Sequence, residues 1–170
     1  MNNYYYLVAS LPHLEFEKAP PIEKAVFWEE CRKWLSPRDI KTLQSAEIFA
    51  SEKDEGDVKV VSDWKTFDSK LRRLLSEERA GNKMIDNSPI SFALEDVLQD
   101  GTPLQKEIKY EKVRWDFLNE ESKQHFFDIN WLTVYFLKLQ ILDRLEMFNK
   151  DKGEKVFYNL CEVNYEEGIG

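Results

Sequence analysis

Glycine, proline and cysteine are scarce in this chain of 170 residues, with six, six and two copies. So few glycines and prolines are unusual for a protein made of turns and strands, and the composition therefore favours helices. The two cysteines, Cys31 and Cys161, show no pairing pattern, which suits a reducing cytoplasm. No phosphate-cradling loop is present, because the glycines outside the C-terminal end stand singly: Gly56, Gly81, Gly101 and Gly153.

The sequence also has no strongly basic region, no pattern typical of a secretory signal and no long unbroken apolar run. A formal net charge of −8 argues against a nucleic-acid backbone or an anionic membrane as the main partner. The first twelve residues lack the basic segment and the apolar length of a secretory signal. The longest apolar stretch is interrupted by Lys138, Gln140, Asp143 and Arg144, so it does not suit a membrane span. We therefore expect a cytoplasmic protein without direct membrane insertion.

Aromatic residues are abundant, at 14% of the chain, and such rings are normally buried or meet a partner. The stretch Asp128–Asn149 places most of its large apolar side chains on one wide arc at helical spacing, which predicts a buried central helix. Its polar side chains form a narrow stripe, Thr133, Gln140 and Arg144. A polar stripe on a buried helix needs partners. We favour solvent exposure or pairing within the bundle over a contact with another subunit. The three stripe residues are kept as candidate partner contacts.

Three helix starts are announced by a hydroxyl residue followed by proline: Ser36-Pro37, Ser88-Pro89 and Thr102-Pro103. Gln105 completes a capping box after Thr102. Together with the other amphipathic stretches, these helix-start signals predict an all-α fold, a bundle of about six to eight helices around residues 128–149. The bundle forms one domain over residues 1–170. We expect a charged loop at Ser51–Asp57 and a helix break at Asn119–Gln124.

Both ends of the chain leave structural alternatives. Tyr4–Val8 has strand propensity, so a short extended N-terminal segment stands beside a helix as a prediction. A final amphipathic helix is predicted from about Glu154, with Phe157 and Tyr158 flanking its apolar stripe as further candidate partner contacts. Because the sequence stops abruptly after this stripe, we expect the N-terminal part of a longer chain. An uncovered stripe would make this stretch self-associate.

Candidate chemistry is weak. Glu121, His125 and Asp128 share one face if they lie on one helix, and such a set can bind a divalent metal. No second histidine is near, and a surface histidine beside a helix start is the favoured interpretation. Neither cysteine has a neighbouring histidine to make it a nucleophile. We therefore predict no catalytic residue, no cofactor and no metal, and a protein that is not an enzyme.

Two charged groups also have an ordinary interpretation. Asp116 with Glu120, or Glu120 with Glu121, could form an acid–base pair, but carboxylates are common in a chain that is 33% charged. The basic cluster Lys70, Arg72 and Arg73 follows two aromatic residues, a combination that can bind RNA. In an acidic protein, a helix with buried aromatics and solvated or paired arginines is the favoured interpretation.

Four stretches resemble one bacterial family of unknown function: the start YYYLVASLP, the segments beginning at Trp64 and at Trp115, and the stretch after Gly153. Within them, the W-x-x-F…L-R-x-L-L pattern from Trp64 and the run YFLKLQILDR, Tyr135–Arg144, resemble it most specifically. Genes of this family tend to lie in V-type (vacuolar/archaeal-type) ATP synthase operons. Its members look like shortened C/d subunits, the helical funnel between central stalk and membrane rotor ring.

The resemblance implies a non-catalytic subunit or accessory protein of a V-type ATPase, a complex that transports protons or sodium ions. It would contact the central stalk and the rotor ring, and would be cytoplasmic and peripheral to the membrane complex. The family brings no assigned catalytic residues. A free-standing cytoplasmic adaptor remains the alternative, followed by a metal-dependent enzyme using Glu121, His125 and Asp128.

Overall fold

The computed structural model describes residues 3–49, 58–81 and 88–148, and the predicted all-α fold is confirmed there. The described residues form seven helices and no strand. The helices are α1 (Asn3–Ser10), α2 (Lys24–Trp34), α3 (Pro37–Gln44), α4 (Lys59–Arg79), α5 (Pro89–Leu98), α6 (Pro103–Ser122) and α7 (Ile129–Met147). No described helix is both long and apolar enough to cross a membrane.

The predicted helix starts are confirmed. The side chains of Ser36, Ser88 and Thr102 each accept a hydrogen bond from a backbone N–H three residues on, and Thr102 forms the full capping box with Gln105. Asp128 caps α7 in the same way, accepting from the Trp131 N–H at 2.8 Å. Each start is fixed by atoms within one turn of chain, which is why the sequence reveals it.

The N-terminal segment is helical, and its extended alternative is wrong. Tyr4, Leu7, Val8 and Leu11 recur at helical spacing and face the core, where Leu7 is fully buried. A strand would point Leu7 and Val8 to opposite sides. Burying them together against α2 therefore outweighs the strand propensity of the tyrosines.

Helix α7 packs against α3, α4 and α6, and its middle is enclosed. Residues 132–142 are buried, apart from half-buried Lys138, whereas Met147 and Phe148 at the far end are exposed. Phe136 stacks on Phe27 of α2, with ring centres 5.2 Å apart. The burial agrees with the predicted apolar arc. Its position at the centre of the bundle stays a prediction.

The predicted helix break is displaced. Helix α6 continues through Asn119 to Ser122, and the turn lies between Lys123 and Asp128. Leu118, fully buried, holds the last turns of α6 against the core. In the turn, Phe127 adopts a left-handed backbone conformation, with φ +52°. The Ser51–Asp57 loop and the final helix from about Glu154 lie outside the described residues.

Candidate functional site

The polar stripe of α7 is paired inside the protein. Thr133 is fully buried, and its hydroxyl donates to the Ile129 carbonyl at 2.8 Å. Gln140 is 8% exposed, and its Nε2 donates to the Ala46 carbonyl at 2.8 Å while its Oε1 accepts from the Ile48 N–H at 3.4 Å. Thr133 and Gln140 thus find their hydrogen-bond partners inside the protein, and Arg144 is the stripe residue with a substantially exposed side chain.

A buried charge cluster links α4, α6 and α7. Arg114 of α6 is 1% exposed and donates to Asp68 Oδ1 of α4 from Nε at 2.9 Å and from Nη2 at 2.6 Å. Its Nη1 donates to Glu111 Oε1 at 3.0 Å. Arg144 of α7 donates to the same Glu111 oxygen at 2.9 Å and also pairs with Glu107.

Burial dominates the electrostatics of this cluster. Desolvation raises the pKa of Glu111, and the fields of Arg114 and Arg144 oppose it without cancelling it. For Arg114 burial acts to lower the pKa, but Glu111 and Asp68 together outweigh it and leave the pKa raised. Arginine therefore stays charged, and the cluster joins three helices through ion pairs. It functions as a tie between helices.

Phe49 covers the cluster from outside. The Arg114 and Arg144 guanidinium carbons lie 5.4 Å and 5.0 Å from its ring centre, within the range of cation–π attraction. The ring itself is 54% exposed. No local sequence pattern indicates this cluster, because its members come from helices whose packing is not encoded locally.

The three residues considered as metal ligands, although no metal was predicted, are only partly brought together. Glu121 lies in the last turn of α6, and His125 Nδ1 is 3.4 Å from Asp128 Oδ2 in the following turn. Asp128 is also occupied as the cap of α7 through Oδ1. Across residues 3–49, 58–81 and 88–148, no three His, Cys, Asp or Glu side chains are arranged to hold a metal ion.

The other charged candidates form ion pairs. Asp116 pairs with Lys112 at 2.5 Å, and Glu120 pairs with Lys123 at 2.6 Å, all on exposed surface. In the basic cluster, Arg72 Nε lies 2.9 Å from Asp68 Oδ2. These contacts agree with the interpretation of paired, solvated helix faces.

Cys31 lies in the core. The side chain is fully buried, and burial raises the pKa of its thiol to about 12. A thiolate is the nucleophilic form of cysteine, so a thiol held neutral in the interior is inert. The residue therefore packs as a small apolar side chain.

An exposed aromatic surface is a second feature that the sequence analysis does not predict. Tyr5 and Tyr6 of α1, Trp34 at the end of α2, and Phe127 in the α6–α7 turn form it. Tyr6 stacks on Trp34 at 5.5 Å between ring centres, Tyr5 meets Phe127 at 5.0 Å, and the two tyrosines meet edge to face. Their exposed fractions run from 37% for Trp34 to 54% for Tyr6. The run of three tyrosines and the Phe126-Phe127 pair were its only local signal.

Carboxylates lie beside this aromatic surface. Tyr4, the neighbour of Tyr5 on α1, has its pKa raised to about 12 by burial first, then by a hydrogen bond to Asp39 and by the field of Asp128. Asp128 directly follows Phe127 in the chain. Two carboxylates therefore lie near Tyr4, on the helix that carries Tyr5 and Tyr6. Phe157 and Tyr158, the other predicted contacts, lie outside the described residues.

Fold and sites together define an all-α protein with an internal ion-pair cluster and an exposed aromatic surface. Residues 90–167 match the model of a family described as a protein of unknown function (DUF2764). The match includes nearly all of α5 and the whole of α6 and α7. No curated protein and no solved structure matches the chain. The match agrees with the predicted kind of family, and its description assigns no activity.

Proposed function

We propose that this chain is a non-catalytic subunit or accessory protein of a V-type ATPase or ATP synthase. It resembles a C/d subunit and acts by protein–protein contact at the junction of stalk and rotor. The single observation that supports contact is the exposed aromatic surface of Tyr5, Tyr6, Trp34 and Phe127. The choice of the ATPase as partner rests on the sequence resemblance.

The aromatic surface has the chemistry of a binding hot spot. Tyrosine and tryptophan are enriched where a few residues carry most of the binding energy, and clustered exposed rings mark interaction sites. Tyr6 and Trp34 are already stacked, so little side-chain freedom is lost when a partner covers them. The neighbouring carboxylates, Asp39 and Asp128, favour a partner that presents basic side chains.

A subunit between moving parts must also keep its shape. The buried charge cluster joins α4, α6 and α7, and Gln140 ties α7 to the segment after α3. Because a buried ion pair resists separation of its partners, these ties oppose sliding between the helices. A rigid protein that binds its partner through the exposed aromatic surface suits the transmission of force between subunits.

The test is co-purification from the native cell. The full chain carries an affinity tag, and detergent-solubilised membranes supply the complex. Retention of V-type ATPase subunits is expected for the wild type. It should fall at least about tenfold in Tyr5→Ser/Tyr6→Ser, since hot-spot losses commonly exceed 1–2 kcal/mol. Phe92→Ser is the matched control, because Phe92 is 59% exposed on α5, away from the aromatic surface.

Two results would contradict the proposal. Absence of ATPase subunits from the wild-type purification removes the partner. Equal retention by the double variant and by the control removes the contact surface. Recovery of a different protein, lost in the double variant, would instead support the free-standing adaptor.

A further inference from the structure

A cavity of about 330 Å³ lies between the segment that follows α1 and the first half of α7. Leu11 and His13 line one side, and Trp131, Tyr135 and Lys138 line the other. This size falls in the range of small-molecule sites. The cavity shares no residue with the aromatic surface, so it is a separate feature of the molecule.

Lys138 is a half-buried cation without a carboxylate partner in the described part of the chain. Its Nζ donates to the neutral Asn119 Oδ1 at 2.7 Å and lies 5.3 Å from the Trp115 ring centre. Burial lowers the pKa of Lys138 to about 8, and no neighbouring charge opposes that effect. An ammonium group has three donors, and Asn119 uses one of them. Charge and hydrogen-bonding capacity are therefore left for a ligand.

The walls combine apolar and polar groups and are held in place. Trp131 and Tyr135 stack with ring centres 5.4 Å apart. The Tyr135 hydroxyl donates to the Pro12 carbonyl at 2.9 Å, which fastens the segment after α1 to α7. The Ser122 hydroxyl, also at the cavity, donates to the Asn119 carbonyl. Lys138 therefore supplies the ammonium anchor of a preformed site that also offers the faces of two stacked rings.

Charge decides the kind of ligand. No described residue that lines the cavity is acidic. One half-buried ammonium balances one negative charge, and no second lysine or arginine among the described lining residues is available for the second charge of a phosphate dianion. A carboxylate accepts hydrogen bonds in the geometry that the free ammonium donors offer.

We propose that this cavity binds a small organic carboxylate with a flat apolar body, Lys138 holding the carboxylate and the Trp131–Tyr135 pair contacting the body. The site is independent of the proposed ATPase contact. A ligand bound there would contact both α7 and the segment that follows α1.

The probes are benzoate and its neutral analogue benzamide, which differ little in size. Each is titrated into the purified full chain up to about 10 mM and followed by calorimetry and by the NMR signals of the tryptophan indole N–H groups. Trp131→Phe assigns the Trp131 signal. Benzoate should shift that signal saturably and bind at least about tenfold more tightly than benzamide.

Lys138→Met keeps the length of the side chain and removes its charge. It should weaken benzoate at least about tenfold and leave benzamide unchanged. Lys109→Met is the matched control, because Lys109 pairs with Asp96 on the α5–α6 surface. A thermal melt confirms that each variant is folded.

Three results overturn the proposal. They are no saturable benzoate shift at Trp131, equal affinities for benzoate and benzamide, or unchanged benzoate affinity in folded Lys138→Met. The first two do not need the Lys138 variant, so they stand even if Lys138→Met does not fold.

Discussion

Gln140→Met removes two long-range hydrogen bonds while nearly preserving side-chain volume. Gln140 lies on α7, and its amide is bonded to the backbone of Ala46 and Ile48, 94 and 92 residues earlier. Both partner residues are buried, at 0% and 6% exposure. Methionine would leave the Ala46 carbonyl and the Ile48 N–H without these bonds.

The expected cost follows from those two groups. A buried backbone group that loses its partner costs about 1–3 kcal/mol. The Ala46 bond, at 2.8 Å, is short, and the Ile48 bond, at 3.4 Å, is long and contributes at the low end. We expect Gln140→Met to lower the free energy of unfolding by about 2–3 kcal/mol. Exposed Met147 on the same helix is the control, and Met147→Ala should change it by no more than about 0.5 kcal/mol.

The assay is urea unfolding followed by circular dichroism, with equal slopes required for the comparison. Amide hydrogen exchange at Ile48 provides a local readout, and its protection should fall in Gln140→Met. A loss below about 0.5 kcal/mol would refute the reasoning, because it is the result expected of a solvent-facing stripe. Solvent exposure was one of the two favoured interpretations of the stripe, and the structure buries Gln140 instead.

Four further outcomes are expected. Leu139→Ala, at a fully buried position, should cost roughly 2–5 kcal/mol in the same urea assay. Arg114→Met should cost about 3–5 kcal/mol because it leaves two carboxylates buried, and Arg144→Met should cost less, since its side chain is 30% exposed. The pKa of Lys138 is about 8 in the folded protein and 10.5 in its usual range, so between these values the unfolded chain binds more protons. The free energy of unfolding of wild type, measured relative to Lys138→Met, should therefore rise from pH 8 to 10.5. A difference that does not change with pH would contradict this. Zinc or manganese added to chelator-treated protein should leave the Tm unchanged, and a saturable rise absent from His125→Ala would support the metal-enzyme hypothesis.

Helix starts could be predicted from sequence because their physics is local. Ser36, Ser88, Thr102 and Asp128 each bond a backbone group within one turn, and proline fixes the first helical residue after three of them. The all-α class follows from these starts together with the helical spacing of apolar residues. The enclosed middle of α7 likewise follows from its wide apolar arc.

The secondary structure was predicted wrongly, or left open, where it depends on packing against other elements. Tyr4–Val8 was ambiguous by propensity, and packing of Leu7 and Val8 on one side made it helical. Asn119–Gln124 looked like a break because it is polar, but the burial of Leu118 and the contacts of α6 with α7 carry the helix to Ser122.

The candidate sites depended even more on tertiary structure. Nothing near Gln140 in sequence indicates its partners after α3, and nothing near Lys138 shows that no carboxylate of the described residues pairs with it. Tyr6 meets Trp34 only because α1 packs against α2. By itself the sequence determined the all-α class and the capped helix starts, since capping and periodicity act within a few residues. Only the tertiary structure decided which polar groups are satisfied inside and which rings stay outside, because both depend on distances between residues far apart in the chain.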